Sequence, residues 1–202
     1  MNEQVWWYLA RSSGIVAWVA ITLSVLWGLT LSTRVLGKTA PPAWILDLHR
    51  FFGASAIIFT GIHIGGLVGD NYLHFGWSEV LIPYASPWKT APVALGVVGF
   101  YLLCAVELSS LVMRKLPKSL WRWVHRTSWI LFVIVTFHGL QAGTDVHNVY
   151  YRWVALASVQ LVLFLTLIRV MAQRKANRRN AAKPQPAPSA RSGQTPASTT
   201  AV

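Results

Sequence analysis

Four of the six histidines lie within long apolar runs. His49 and His63 bound "HRFFGASAIIFTGIH" with thirteen residues between them, and His125 and His138 bound "HRTSWILFVIVTFH" with twelve. A polar ring in hydrocarbon is costly unless something binds it. If both runs are helices, the rise of ~1.5 Å per residue separates the first pair by ~21 Å and the second by ~20 Å. If both helices run in the same direction, His49 shares a depth with His125, and His63 shares one with His138. One imidazole from each helix at each of two depths is a ligand set for two stacked haems. Ligation by two histidines leaves no open iron position, which favours electron transfer over oxygen binding. A bare metal ion would instead want its ligands within a few ångströms of one another. A lone membrane histidine is often only a hydrogen-bonding helix contact, but two depth-matched pairs are harder to explain that way.

The elements that must carry these histidines follow from composition. Of 202 residues, 54% are hydrophobic and 12% charged, and the mean hydropathy is +0.45. A soluble domain cannot hide that much apolar surface. Five stretches approach the ~20 residues needed to cross a hydrocarbon core of ~30 Å: 14–31, 44–68, 91–113, 121–140 and 150–171. Spanning segments satisfy their own backbone groups, so the expected fold is all-α, a helical membrane bundle of one domain over residues 1–171. The first stretch reads as a retained helix rather than a cleaved signal, because Glu3 interrupts the basic start and no small-x-small site follows. The single cysteine, Cys104, excludes an intramolecular disulfide and reads as a small buried hydrophobe.

The net charge of +12 is unevenly placed. Arg34 and Lys38 follow the first span. Arg114, Lys115, Lys118, Arg122 and Arg126 cluster between the third and fourth, and Arg174, Lys175, Arg178, Arg179, Lys183 and Arg191 follow the fifth. The positive-inside rule puts these segments in the cytoplasm and the N-terminus outside. The basic charge is expected to face anionic headgroups rather than nucleic acid. Residues 172–202, rich in Pro, Ala, Ser and Thr, read as a disordered basic cytoplasmic tail. Trp6, Trp7, Trp44, Trp77, Trp88, Trp121, Trp123 and Trp153 near span ends read as an interfacial belt.

Taken together, "LHRFFGASAIIFTGIHI", "WRWVHRTSWILFVIVTFHGL" and the opening "YLARSSG" resemble the ferric-reductase-like transmembrane domain, over roughly residues 8–169. That family includes NADPH oxidases, ferric reductases and the haem subunits of bacterial methionine sulfoxide reductase systems. Its motif is one helix with thirteen residues between two histidines and another with twelve or thirteen. The resemblance implies two non-covalent b haems, held by His49 with His125 on the inner side and His63 with His138 on the outer. It also implies electron flow across a plasma membrane, in a bacterial setting. The sequence departs from many members in offering five spans rather than six. It also shows no strand–glycine loop–helix for FAD or a nicotinamide nucleotide. The expected role is therefore an electron-transfer subunit of an oxidoreductase. Its donor would be a separate flavoprotein or a membrane quinol, with quinone as a further cofactor. Its acceptor would be ferric iron or a partner reductase outside.

Neighbouring residues extend this reading. Arg50 and Arg126, each following an inner histidine, are placed to pair with a haem propionate or to reach headgroups. Gly53, Gly61, Gly65, Gly66 and Gly139 would let a flat macrocycle approach, though glycine also serves plain helix packing. Glu107 within the third span is a candidate proton acceptor for a quinol, or a partner for Arg114 or Arg122. Asp70, His74, Glu79, Asp145 and His147 in the outer loops are candidates for gathering ferric iron, with His74 also placed to cap a loop or touch a propionate. Two other functions stand beside electron transfer: a haem-containing scaffold or sensor, and a haem-free transporter whose histidines relay protons. One difficulty is geometric. Fourteen steps of ~100° return within ~40° of the same helix face, but thirteen leave ~140°, so His125 and His138 cannot share one stripe of a straight helix.

Overall fold

The computed structural model describes residues 3–33, 41–70 and 75–181, and all the regular structure among them is helical. The helices are α1 (Glu3–Thr33), α2 (Pro42–Gly69), the short α3 (Trp77–Leu81), α4 (Thr90–Leu111), α5 (Lys118–Arg126), α6 (Ser128–Ala142) and α7 (Val149–Ala181), with a 3₁₀ turn at Thr144–His147. Four segments are long and apolar enough to cross a membrane: Gln4–Thr33, Pro42–Gly69, Thr90–Leu111 and Val149–Arg179. Their outward faces agree with a lipid surround. Leu163, Phe164 and Leu167 of α7 are 61%, 59% and 58% exposed, which water would penalise and acyl chains would not.

The expected span at 121–140 is not one helix. It breaks at Thr127, whose backbone N–H bonds back to the Val124 carbonyl at 2.9 Å, closing a tight turn. The sequence changes character there. Lys118, Arg122 and Arg126 recur every fourth residue along α5, none of whose residues is buried, while α6 is almost wholly apolar. A polar stripe of that kind belongs at an interface. The fifteen residues of α6 rise ~22 Å, short of a full hydrocarbon core of ~30 Å.

The last helix also differs from expectation. It continues through Ala181, ten residues past Met171, where disorder was expected. "AQRKANRRNA" consists largely of good helix formers, and the first proline comes only at Pro184. Residues 182–202 lie outside the described residues.

Helix α2 starts where Pro41 and Pro42 permit, with proline at the first helical position and no N–H wasted. It packs along α1, and the approach is close because side chains are missing where the backbones meet. A Cβ on Gly66 would lie 2.7 Å from the Ala10 nitrogen. Ala20, Ile21, Leu26, Leu29, Ala56, Leu103, Leu131, Phe132 and Val162 form the central core, drawn from α1, α2, α4, α6 and α7. A second cluster, Phe75, Val80 and Val93 with Ile64, Leu67 and Val68 against it, folds the α2–α4 connection over the end of the bundle that holds His63. Lys89, at φ 41°, ends that connection and donates from Nζ to the Gln141 carbonyl at 2.9 Å, tying it to α6.

Gly66→Ala is expected to destabilise the bundle by roughly 1–3 kcal/mol through overpacking against the α1 backbone. Gly61, with nothing within 4 Å of its added Cβ, should accept Ala neutrally or gain roughly 0.5–1 kcal/mol of helix propensity. Thermal midpoints of the two variants in detergent check the contrast. A lower midpoint for Gly61→Ala than for Gly66→Ala would reverse it.

Candidate functional site

The four membrane histidines meet as two pairs. The His49 and His125 ring centroids are 5.9 Å apart, with planes at 79°. Those of His63 and His138 are 6.4 Å apart, also at 79°. The break at Thr127 is what allows this. His125 sits on α5 and His138 on α6, so the ~140° offset of a straight helix is absorbed between them.

Three of the four rings are held from behind by Nδ1. His63 Nδ1 donates to the Ala10 carbonyl at 2.6 Å, His49 Nδ1 to the Ser24 carbonyl at 2.8 Å, and His138 Nδ1 to the Pro92 carbonyl at 2.8 Å. A carbonyl only accepts, so in these three rings the neutral tautomer carries its proton on Nδ1 and leaves an Nε2 lone pair free. The carbonyls are reachable for one repeated reason: a glycine stands four residues further along each helix. A Cβ on Gly14 would lie 2.8 Å from His63 Nδ1, one on Gly28 would lie 3.2 Å from His49 Cε1, and one on Gly96 would lie 2.6 Å from His138 Cε1. His125 is held differently. Its Nδ1 is 3.5 Å from the Ser110 hydroxyl, and its ring stacks on Trp121 at 5.2 Å and 24°. The Trp121 indole N–H is buried and has no partner among the described residues, so this end of the site holds a spare donor.

Both pairs line cavities. One of about 230 Å³ is bordered by His63, His138, Arg11, Asp70, Asp145 and Trp18, among others. One of about 70 Å³ is bordered by His49, His125, Glu107, Arg169, Ser24 and Trp129. Ile21 and Leu103 border both cavities.

Arg11 closes one side of the larger cavity through a forked pair to Asp145: Nε donates to Oδ2 at 2.7 Å and Nη2 to Oδ1. Its guanidinium also lies over the Trp7 ring, 4.8 Å from the centroid.

The other residues singled out in the sequence divide. Arg50 and Arg126 are exposed and border neither cavity. Arg50 stands 3.9 Å from Asp47 on the surface. Successive helix residues point ~100° apart, so an inward histidine sends the next residue outward. The arginines that do border the cavities are Arg169 and Arg11, from α7 and α1. Glu107 borders the smaller cavity and makes no ion pair among the described residues, with Arg114 and Arg122 included. Gly53 faces the Glu107 carboxyl and Gly66 faces α1, while Gly61 and Gly65 meet open space and Gly139 faces the Tyr151 hydroxyl. Trp7 and Trp88 border the larger cavity, and Trp121 backs His125, so these three do interior work as well as marking span ends.

Of the outer-loop set, Asp70 and Asp145 border the larger cavity, and Glu79 and His147 do not. Asp145 is engaged by Arg11, and His147 is exposed at the end of the 3₁₀ turn. Glu79 accepts from the Ser78 hydroxyl and the Gly76 N–H, each at 2.8 Å. The Ser78 hydroxyl, with these backbone donors, holds its carboxyl below the usual glutamate range. His74 lies outside the described residues. Among the described residues no group of three or more His, Cys, Asp or Glu side chains gathers to hold a metal ion.

Gly14, Gly28 and Gly96 were missed in the sequence reading, although a signal was there. Gly14 and Gly28 are separated by fourteen positions, as are His49 and His63. Two antiparallel helices carrying equal spacings bring each glycine to one histidine.

Against known protein families, curated proteins and solved structures, the chain finds no match.

In the ligand-free protein, nitrogen-15 spectra of labelled histidine are expected to show the Nδ1–H tautomer at His49, His63 and His138. The Nε2–H form at any of the three would contradict the carbonyl clamp.

Proposed function

We propose that the chain carries single electrons across a membrane through two bis-histidine b haems. The donor is a flavoprotein or quinol on the basic, cytoplasmic side, and the acceptor is ferric iron or a partner reductase on the other. The ring spacing carries this reading. Two imidazoles holding one iron atom through Nε2 would have ring centres about 6.2 Å apart, from about 2 Å for each nitrogen–metal bond and about 1.1 Å from nitrogen to ring centre. The two observed separations, 5.9 and 6.4 Å, fall on either side of that value. Free Nε2 atoms are what ligation needs, and the carbonyls behind the rings are the usual outer partners of ligating histidines. Two protein nitrogens suit a macrocycle that brings its own four donors, which a bare ion does not.

Haem at each pair would supply a one-electron iron couple. The chain's own residues orient the imidazoles, and the Ile21 and Leu103 side chains lie between the two cavities. Both cavities are below the ~300–1,000 Å³ usual for ligand pockets, so rim side chains must withdraw around a macrocycle, more at His49/His125 than at His63/His138. Here α5 and α6 together make a fourth crossing of five, with α5 at the interface. That topology sets Arg114, Lys115, Lys118, Arg122 and Arg126 on the same side as Arg174, Lys175, Arg178 and Arg179, as the positive-inside rule requires. The resemblance to ferric-reductase-like domains supports the same assignment, with His49 and His125 on the inner side.

A reduced-minus-oxidised spectrum of protein made with haem available should show low-spin b-type bands and about two haems per chain. His63→Ala or His138→Ala should remove the outer haem and spare the inner, and His49→Ala or His125→Ala the reverse. Gly96→Ala should disturb the outer haem alone. Both haems surviving all four histidine changes would sink the assignment. A folded protein without haem would favour a proton-relaying transporter.

A further inference from the structure

We propose that Glu107 is a proton-uptake site, taking one proton for each electron that arrives at the inner histidine pair; this rests on the electron-transfer reading above. Glu107 is the one carboxylate of α4, a helix apolar enough to cross a membrane. An ionisable group in such a position is expensive, and its presence calls for a role. Its neighbour on α2 is shaped around it. A Cβ on Gly53 would lie 2.6 Å from Glu107 Oε1 and 3.2 Å from Oε2, so the carboxyl rests against bare backbone one helical turn from His49.

The groups around the carboxyl are named by the cavity they share. His49 comes from α2, His125 from α5 and Arg169 from α7, while α1 and α6 supply no charged or titratable side chain, their polar ones being Ser24, Ser128 and Trp129. Among the described residues, neither Arg169 nor any other cation lies within ion-pair distance of Glu107. The cation is therefore near enough to share the cavity but does not neutralise the carboxylate by contact. Glu107 is also four residues from the end of α4 at Leu111, a rise of ~6 Å, so the route to the basic end is short.

The charge balance is simple. The donor supplies one electron to the inner site. The Glu107 carboxylate takes one proton from water on the basic side and becomes a carboxylic acid. No bond within the chain changes, and the proton leaves when the electron moves on. The negative charge of the electron at the inner site and the positive charge of the proton at Glu107 attract, which couples the two arrivals.

Potentiometric titration of the haem-loaded protein over a range of pH tests this. The inner midpoint should fall as pH rises, approaching ~59 mV for each tenfold change in proton concentration. Glu107→Gln should flatten that dependence, and Gly53→Ala, which displaces the carboxyl without removing it, should weaken it. Redox-difference infrared spectra should show a protonated-carboxyl band on reduction that shifts with carbon-13 glutamate and is absent in Glu107→Gln. Glu3 and Glu79 carry the same label, so Glu3→Gln and Glu79→Gln, which should keep the band, assign it by exclusion if Glu107→Gln does not hold haem. A pH-independent inner potential, or an unaltered dependence in Glu107→Gln, overturns the proposal while leaving electron transfer standing. Failure to bind haem at the inner pair overturns both.

Discussion

An imidazole can offer a lone pair only from the nitrogen that carries no proton. Everything built around the two histidine pairs depends on fixing that choice, and for three of the four rings the chain fixes it with backbone carbonyls. In an α-helix each carbonyl already accepts from the N–H four residues on, and side chains on that turn shield it from outside donors. Glycine at the fourth position removes the shield. Ala10 with Gly14, Ser24 with Gly28 and Pro92 with Gly96 are three uses of this device, on two helices, for three histidines. The helix keeps its ladder while the carbonyl gains a second donor, and the ring gains both a tautomer and a direction.

That contact also sets the packing. Because α1 must bring Gly14 to His63 and Gly28 to His49, the register of α1 on α2 is fixed at two points fourteen residues apart. Small residues complete the approach at Ala10 with Gly66. Association of helices in lipid relies on such close contact, since lipid tails are as apolar as leucine and give no hydrophobic drive. The central core of Ala20, Leu26, Ala56 and Phe132 then fills in between the two pairs. Close packing and histidine placement are here one constraint rather than two.

Much of this was legible in the sequence, for reasons that can be stated. Long apolar runs mark helices whatever their neighbours do, and the depth of each histidine follows from the rise per residue alone. The thirteen-step offset between His125 and His138 announced a break, but only the change from "KSLWRWVHR" to "SWILFVIVTFHGL" located it, at Thr127. The roles of Arg50 and Arg126 were read from adjacency in sequence, which is a poor guide on a helix. Arg11 and Arg169 reach the cavities from helices remote in sequence, and no local pattern could reveal that. The end of α7 was misplaced because the composition of the last thirty residues was averaged, hiding a helical first third.

The two pairs are not equivalent, and the difference follows from the break at Thr127. His138 lies on an apolar helix, clamped to α4 by a carbonyl and a glycine. It is covered on its side of the bundle by the α2–α4 connection and by the Arg11–Asp145 fork. His125 lies on a short amphipathic helix with no carbonyl clamp, only a hydroxyl at 3.5 Å and a tryptophan face. A helix of nine residues has little stability of its own, so the position of α5 is set by what it rests on. Its basic stripe and the exposed Trp123 give it the composition of a membrane-interface helix. The His49–His125 pair therefore rests on the more weakly anchored helix, and the His63–His138 pair is the one held by the fold itself.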